Sequence, residues 1–235
     1  MSSGFSSVAS NLARVRERIA RASEHAGRRA DEVTIVAVSK TFPAEAIRTA
    51  YEAGLRNFGE NRVQEWEAKH PRVADLGATW HLIGHLQSNK ARRAARLFSR
   101  VDSVDSLELA RKLDASTAEQ AKRLSVLIEV HLGDEATKTG VTETDLRPLA
   151  EAVVRLPRLN LLGLMAIPPF LDDAESLRPQ FRKLRELRDA LCKPLGRPLP
   201  VLSMGMSHDF EVAIEEGATE IRVGTALFGD RQAKV

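Results

Sequence analysis

The stretch Val33-Thr34-Ile35-Val36-Ala37-Val38-Ser39 constrains this chain more than any other part of it. It is an almost unbroken β-branched and apolar run, so neither face of the strand it forms can be left to water. Strands of that kind belong to parallel sheets with helices on their faces. Seven further short apolar runs follow, near 56–58, 80–83, 100–104, 125–132, 161–167, 201–204 and 221–223. Helical patterns fill the intervals, signalled by Pro43 before 44–51, Ser106 before 107–121, Thr142 before 143–155 and Asp172 before 174–191. An amphipathic segment over 8–26, with Leu12, Val15, Ile19 and Ala22 on one side, precedes the first strand and stops at Gly27. Eight strand–helix repeats in 235 residues predict a single (β/α)8 TIM barrel with an extra N-terminal helix, one domain over 1–235. A doubly wound open sheet shares that alternation and stays open as the alternative, because periodicity cannot report closure. The proline-rich stretch 193–200 reads as a stiff connection into the seventh strand.

Several function classes are excluded early. Cys192 is the single cysteine, so neither an intramolecular disulfide nor a zinc site built from cysteine pairs can form. No basic-then-apolar leader opens the chain, and no run approaches the roughly 18 apolar residues of a spanning helix, so no membrane partner is expected and the cytoplasm is the expected location. The 35 Lys and Arg are nearly balanced by 32 Asp and Glu. The densest basic stretch, Lys90, Arg92, Arg93 and Arg96, lacks interleaved aromatics, which predicts a solvated helix face and no nucleic-acid partner. With no long apolar surface stripe visible, a monomer is expected.

Ligands of a barrel meet the C-terminal ends of its strands. Lys40 follows the first strand directly, at the expected mouth, where partial desolvation would lower its pKa and leave an amine able to form an imine with an aldehyde. A lysine there is also compatible with a plain solvated charge. Ser203-Met204-Gly205-Met206-Ser207 ends the seventh strand in a glycine turn, with Ser207 expected at the start of a helix continued by 211–216. Arg222-Val223-Gly224-Thr225 ends the eighth strand in a second turn of small and hydroxyl residues. The loops after strands seven and eight are the usual phosphate site of this fold, although each turn taken singly could be only a helix cap. Asp209 and Glu211 would repel an anion there unless turned outward. An amine at the first strand facing a phosphate cradle at the seventh and eighth suits one aldehyde-phosphate cofactor, pyridoxal 5′-phosphate (PLP).

The sequence also resembles the pyridoxal-phosphate homeostasis proteins over nearly its whole length. The likeness is carried by Ala37-Val38-Ser39-Lys40, by the run from Phe58 through Gly59-Glu60-Asn61 to Glu65, by the run from Trp80-His81 through His85 to Lys90, and by Leu202-Ser203-Met204-Gly205-Met206-Ser207. The resemblance implies a fold like the N-terminal barrel domain of alanine racemase, with PLP held as a Schiff base on Lys40. It implies phosphate contacts from Ser207, Gly224 and Thr225, support from Asn61 and Ser203, and Arg222 facing the pyridine nitrogen. His208 and Arg62 depart from the family pattern.

A guanidinium only donates hydrogen bonds, so a ring nitrogen facing Arg222 must be unprotonated, which makes the ring a weak electron sink. Racemisation also needs an acid or base across from the lysine, which alanine racemase takes from a tyrosine of a second domain. Here Tyr51 is expected on the barrel exterior and Cys192 away from the mouth, so no catalytic residue is assigned. His81 reads as a hydrogen-bonded core residue and His85 as a loop contact, so no metal site is assigned. Glu60 and Asn61 are expected at the mouth, orienting Lys40 or the ring hydroxyl. Three functions remain: a carrier or buffer that holds PLP and presents it to apo-forms of PLP-dependent enzymes, a weak PLP-dependent racemase or lyase, and a barrel in which Lys40 is incidental and the basic helix binds nucleic acid.

Overall fold

In the computed structural model the first run forms β1 (Thr34–Val38), and the other seven follow as β2 (Asn57–Glu60), β3 (Thr79–Leu82), β4 (Arg100–Val104), β5 (Leu124–Glu129), β6 (Leu159–Met165), β7 (Val201–Ser203) and β8 (Glu220–Val223). The structure describes residues 5–118, 120, 122–133 and 139–229. Each strand pairs in parallel with the next and β8 pairs with β1, from Thr34 opposite Glu220 to Ala37 opposite Val223. The sheet is therefore a closed barrel and the open-sheet alternative is excluded.

The helices are α1 (Phe5–His25), α2 (Ala44–Glu52), α3 (Val63–Lys69), α4 (Ala91–Leu97), α5 (Leu107–Ala118), α6 (Glu143–Val154), α7 (Arg178–Leu195), α8 (Phe210–Glu215) and α9 (Thr225–Phe228). Residues 119 and 121, at the expected end of the helix after β4, lie outside the described residues. Ser106 and Thr142 cap as expected, their hydroxyls accepting the N–H of Leu109 and Asp145. The cap expected at Asp172 falls one residue later, where the Asp173 carboxylate accepts the Glu175 N–H. The stretch 193–200 is corrected too: α7 runs through Pro194 to Leu195 and ends at Gly196 in the left-handed region, so only 196–200 is connection.

The N-terminal helix has a structural task. Where α8 and α9 are too short to cover the seam between β8 and β1, α1 lies across them, with Asn11 donating to the Leu227 carbonyl and Arg18 to the Glu211 carboxylate. On the far flank the rings of Phe58, Trp66, Trp80 and Phe98 pack at 4.4–6.0 Å between neighbouring centroids and seat α3 firmly on β2 and β3.

Inside the barrel the lower layer is charged. Arg100, on β4, donates to both oxygens of Asp102 at 2.6 and 2.8 Å and to both oxygens of Glu220, on β8, at 2.5 and 2.6 Å. All three are buried. Burial alone would raise the Asp102 carboxyl, but Arg100 and His81 hold it well below its ordinary 3.8. A carboxyl whose folded pKa is depressed stabilises the fold fully above its unfolded value, and that contribution is lost as pH falls through the folded one. Arg100→Met strands two buried carboxylates, and we expect it to lower stability by about 3–5 kcal/mol, a fall in Tm on the order of 10 °C. Because burial would then raise Asp102, the loss of stability expected of the unmodified protein below about pH 4 should flatten in the variant. Urea titrations of both proteins at neutral and acid pH measure this; equal acid slopes would remove Arg100 from that role.

Candidate functional site

The end of β1 opens onto a cavity of about 1070 Å³, lined by Lys40, Asn61, Arg62, Glu65, Lys69 and His85 among others. Lys40 reaches it from a loop held in an unusual shape. Thr41 has φ +70°, a left-handed conformation that a β-branched residue adopts only when its surroundings impose it, at a cost of about 1–3 kcal/mol. What imposes it is visible. The Thr41 N–H donates to Glu65 Oε1 at 2.6 Å, the Phe42 N–H to the Ser39 carbonyl at 3.1 Å, and Lys69 Nζ to the Ser39 and Phe42 carbonyls at 3.0 and 3.3 Å.

Asn61 lines the same cavity from the end of β2. Its backbone lies so close to Gly84 that a side chain at 84 would collide with the Asn61 carbonyl, and the Gly84 carbonyl is in turn held by the Ser103 hydroxyl at 2.7 Å. Glu60 corrects the expectation that it would reach the mouth. Gly59 faces the barrel interior against Val36 and Ile83, so strand alternation turns Glu60 outward, under α3. There it accepts from Ser39 Oγ at 2.8 Å and Lys69 Nζ at 2.7 Å, while burial pushes its carboxyl up.

The second half of the site is the turn after β7 and the turn after β8. Ser207 Oγ accepts the N–H groups of Gly224 and Ala226, each at 3.3 Å. That engagement explains why Ser207 does not begin α8, as the sequence reading had it: its hydroxyl serves the neighbouring turn, and the helix starts at Phe210. Gly205, at φ +91°, lets the turn lie against α8, where a Cβ would sit 2.6 Å from Ala213 and 2.9 Å from Phe210. The objection raised by the two acidic residues is resolved locally. Glu211 is neutralised by Arg18 at 2.5 Å, and Asp209 accepts the Met206 N–H at 2.5 Å.

The two halves adjoin. Gly224 sits beside Val38, so that a Cβ there would be 3.5 Å from it, and Phe42 of the Lys40 loop stacks on Phe228 of α9 at 4.8 Å. Beneath them, buried Arg222 donates to Ser203 Oγ and to the Ala166 carbonyl, both at 2.8 Å. Burial pulls the Arg222 guanidinium below its ordinary value, and Glu220, Asp102, Asp209 and Glu129 oppose that pull. The structure thus joins Lys40 with Asn61, Ser203 with Arg222, and Ser207 with Gly224 and the Thr225 turn, at one end of the barrel.

Other side chains fall where expected or were missed. Tyr51 lies on the exterior under the Arg56 guanidinium, 4.0 Å from its ring, and Cys192 bonds within its own helix. His81 is buried, 3.1 Å from Asn57 Oδ1. His81, Asp102 and Glu220 offer ligand atoms within 4.8 Å of one another, but the Arg100 guanidinium already bonds both carboxylates there. The sequence reading missed Glu129, 2 % exposed at the end of β5, whose Oε1 accepts from Thr139 and whose Oε2 has no partner among the described residues. An acid inside the apolar run of β5 was the available signal.

The barrel with these loops defines a protein of the alanine racemase N-terminal class, and the profile "Alanine racemase, N-terminal domain" matches residues 10–232. Curated relatives narrow this. The chain is 48% identical over 221 residues to the pyridoxal phosphate homeostasis protein of Aquifex aeolicus, covering 94% of this chain and 97% of that one, and 47% identical over 227 residues to that of Pseudomonas aeruginosa, covering 97% of each. Among solved structures, PipY of Synechococcus elongatus with PLP bound is 40% identical, with a TM-score of 0.84 over 94% of this chain and all of that one. The chain belongs to the pyridoxal phosphate homeostasis protein family.

Replacing Gly205 with Ala tests the packing of the turn that carries Ser207. A positive φ combined with the Ala213 contact should lower stability by about 1–3 kcal/mol, read by thermal denaturation. An unchanged Tm would mean that the turn yields freely.

Proposed function

We propose that this chain holds PLP as a Schiff base on Lys40 and serves its intracellular homeostasis as a carrier or buffer, without catalytic turnover. The observation that carries this reading is the meeting, at one barrel end, of the Lys40 cavity with a cradle of backbone N–H groups. The N–H groups of Gly224 and Ala226 converge on Ser207 Oγ at a long 3.3 Å each, and a phosphate oxygen could take them over from that hydroxyl. When bound, the cofactor supplies an aldehyde for a primary amine and a conjugated ring able to accept electrons. Ser207, Gly224 and Thr225 would hold the phosphate, with Asn61 and Ser203 in support.

Arg222 bears on turnover. Its guanidinium is fixed by Ser203 and Ala166 and can only donate, so a ring nitrogen facing it is kept unprotonated. That favours holding over carbanion chemistry. PipY is described with PLP bound, which supports the same assignment here.

The visible spectrum tests the reading. Purified protein titrated with PLP should develop the absorption of a conjugated imine, and Lys40→Ala should not. A protein that develops no such band at saturating PLP would leave only the anion cradle to explain. Transfer of the held cofactor to an apo-enzyme would then show the carrier role.

One observation favours the weak racemase or lyase as a second reading. Glu129 ends the strand opposite β1 in the barrel, and burial pushes its carboxyl toward the proton-holding form. With PLP and an amino acid in D2O, we expect no measurable exchange of the α-proton. Exchange abolished by Glu129→Gln would support the second reading instead.

A further inference from the structure

Lys69 is a cation of the cavity wall whose three donors all have partners. An ammonium has three N–H donors. Those of Lys69 reach the Ser39 carbonyl at 3.0 Å, the Phe42 carbonyl at 3.3 Å and Glu60 Oε1 at 2.7 Å, and Glu65 Oε1 lies 3.0 Å away. Its side chain is only 13% exposed. A group so engaged has nothing to offer an anionic ligand, although it lines the same cavity as Lys40. What it holds is the backbone on both sides of Lys40.

The neighbouring contacts work toward the same end. Glu65, one helical turn before Lys69 on α3, takes the Thr41 N–H and so holds the left-handed residue that follows Lys40. Glu60, buried on β2, bonds both the Ser39 hydroxyl and Lys69, tying the residue that precedes Lys40 to the same ammonium. Helix α3 is itself a rigid base, because Trp66 lies between Trp80 and Phe98 and donates to the Leu97 carbonyl at 3.1 Å. On α3, Glu65, Trp66 and Lys69 lie within about one turn of one another, so the aromatic anchor and two of the groups that hold the loop share one short helix.

We propose that Lys69 is a positioning residue for covalent cofactor capture: with Glu60 and Glu65 it clamps residues 39–42 so that the Lys40 amine is presented to the aldehyde. This rests on the reading of Lys40 as the covalent anchor. It separates two halves of the site, since among the described residues the hydrogen bonds of Lys69, Glu60 and Glu65 go to residues 39–42 and to one another, and those of Ser207 Oγ go to Gly224 and Ala226. A misplacement of the amine should therefore slow bond formation and leave non-covalent recognition intact.

The test compares two probes on the full chain. PLP reports covalent capture through the rate of appearance of the visible band. Pyridoxine 5′-phosphate has the same phosphate with an alcohol in place of the aldehyde, and reports the cradle through its affinity in calorimetry. In Lys69→Met, which keeps the apolar stem, capture should slow by roughly 10- to 100-fold, while the affinity for pyridoxine 5′-phosphate stays within about twofold. Lys69→Arg, which keeps the charge and the donors, should recover part of the rate. Unchanged capture in Lys69→Met, or equal weakening toward both probes, would overturn the proposal. Should Lys69→Met fail to fold by circular dichroism, Glu65→Met, which removes the acceptor of the Thr41 N–H and leaves Lys69 in place, must slow capture in the same selective way, or the clamp is refuted. Absence of the band in the unmodified protein would instead refute the anchor role of Lys40, which sets the two failures apart.

Discussion

The closed barrel depends on an ion cluster at its centre. Arg100 bridges Asp102 on its own strand to Glu220 on β8, and β4 and β8 face one another across an eight-strand barrel. Burying these charges has a desolvation cost that apolar packing would not incur, so the cluster is better understood as specifying which strands oppose each other than as adding stability. Removing one partner is another matter, because the remaining charges cannot be hydrated. The cluster also fixes the vertical order of the interior. Charged residues fill the lower layer, Val36, Gly59, Ile83 and Leu127 lie above it, and the site residues stand at the top.

That order explains the placement of Arg222. It lies two residues beyond Glu220 on β8, so strand alternation points both inward and sets Arg222 one layer nearer the mouth. Two more residues reach Gly224, whose N–H is at the level of the phosphate-type cradle. One strand thus supplies, at intervals of two, a tie across the barrel floor, a donor beneath the site and a cradle at its rim. The period of a β-strand suffices to space the three groups.

The same period decided what could be read in the sequence. The eight strands were legible because their apolar runs are short, frequent and bounded by turn or cap residues, and Lys40 was legible because it ends the strongest of them. The interior charges were not. Arg100 and Asp102 alternate with Val101 and Ser103 as the solvent face of an ordinary half-exposed strand would, and only closure turns that face inward. Glu60 was misread for a related reason: it adjoins Asn61 in sequence, but adjacent strand residues point to opposite faces. The helix start at Ser207 failed because its hydroxyl found acceptor duty in a turn seventeen residues away, which local pattern cannot report.

The site is also unevenly built, and the unevenness bears on a holding function. The cradle side is made of backbone groups on turns packed against α8 and α9, with α1 behind them, so it has little freedom to change. The Lys40 side is set by side-chain bonds from α3 to a strained loop, and it borders the open cavity of about 1070 Å³. A phosphate fixed on the closed side would leave the reactive end of its molecule toward the open side, where an amine from solution or from an acceptor could approach. An arrangement that grips one end and exposes the other would suit exchange at the exposed end, and a ring lying over Arg222 would be kept from chemistry beyond that exchange. In the proposed function retention and release would be separable: the cradle would govern how long the molecule stays near, and the loop of Lys40 how readily a covalent bond there forms and reverses.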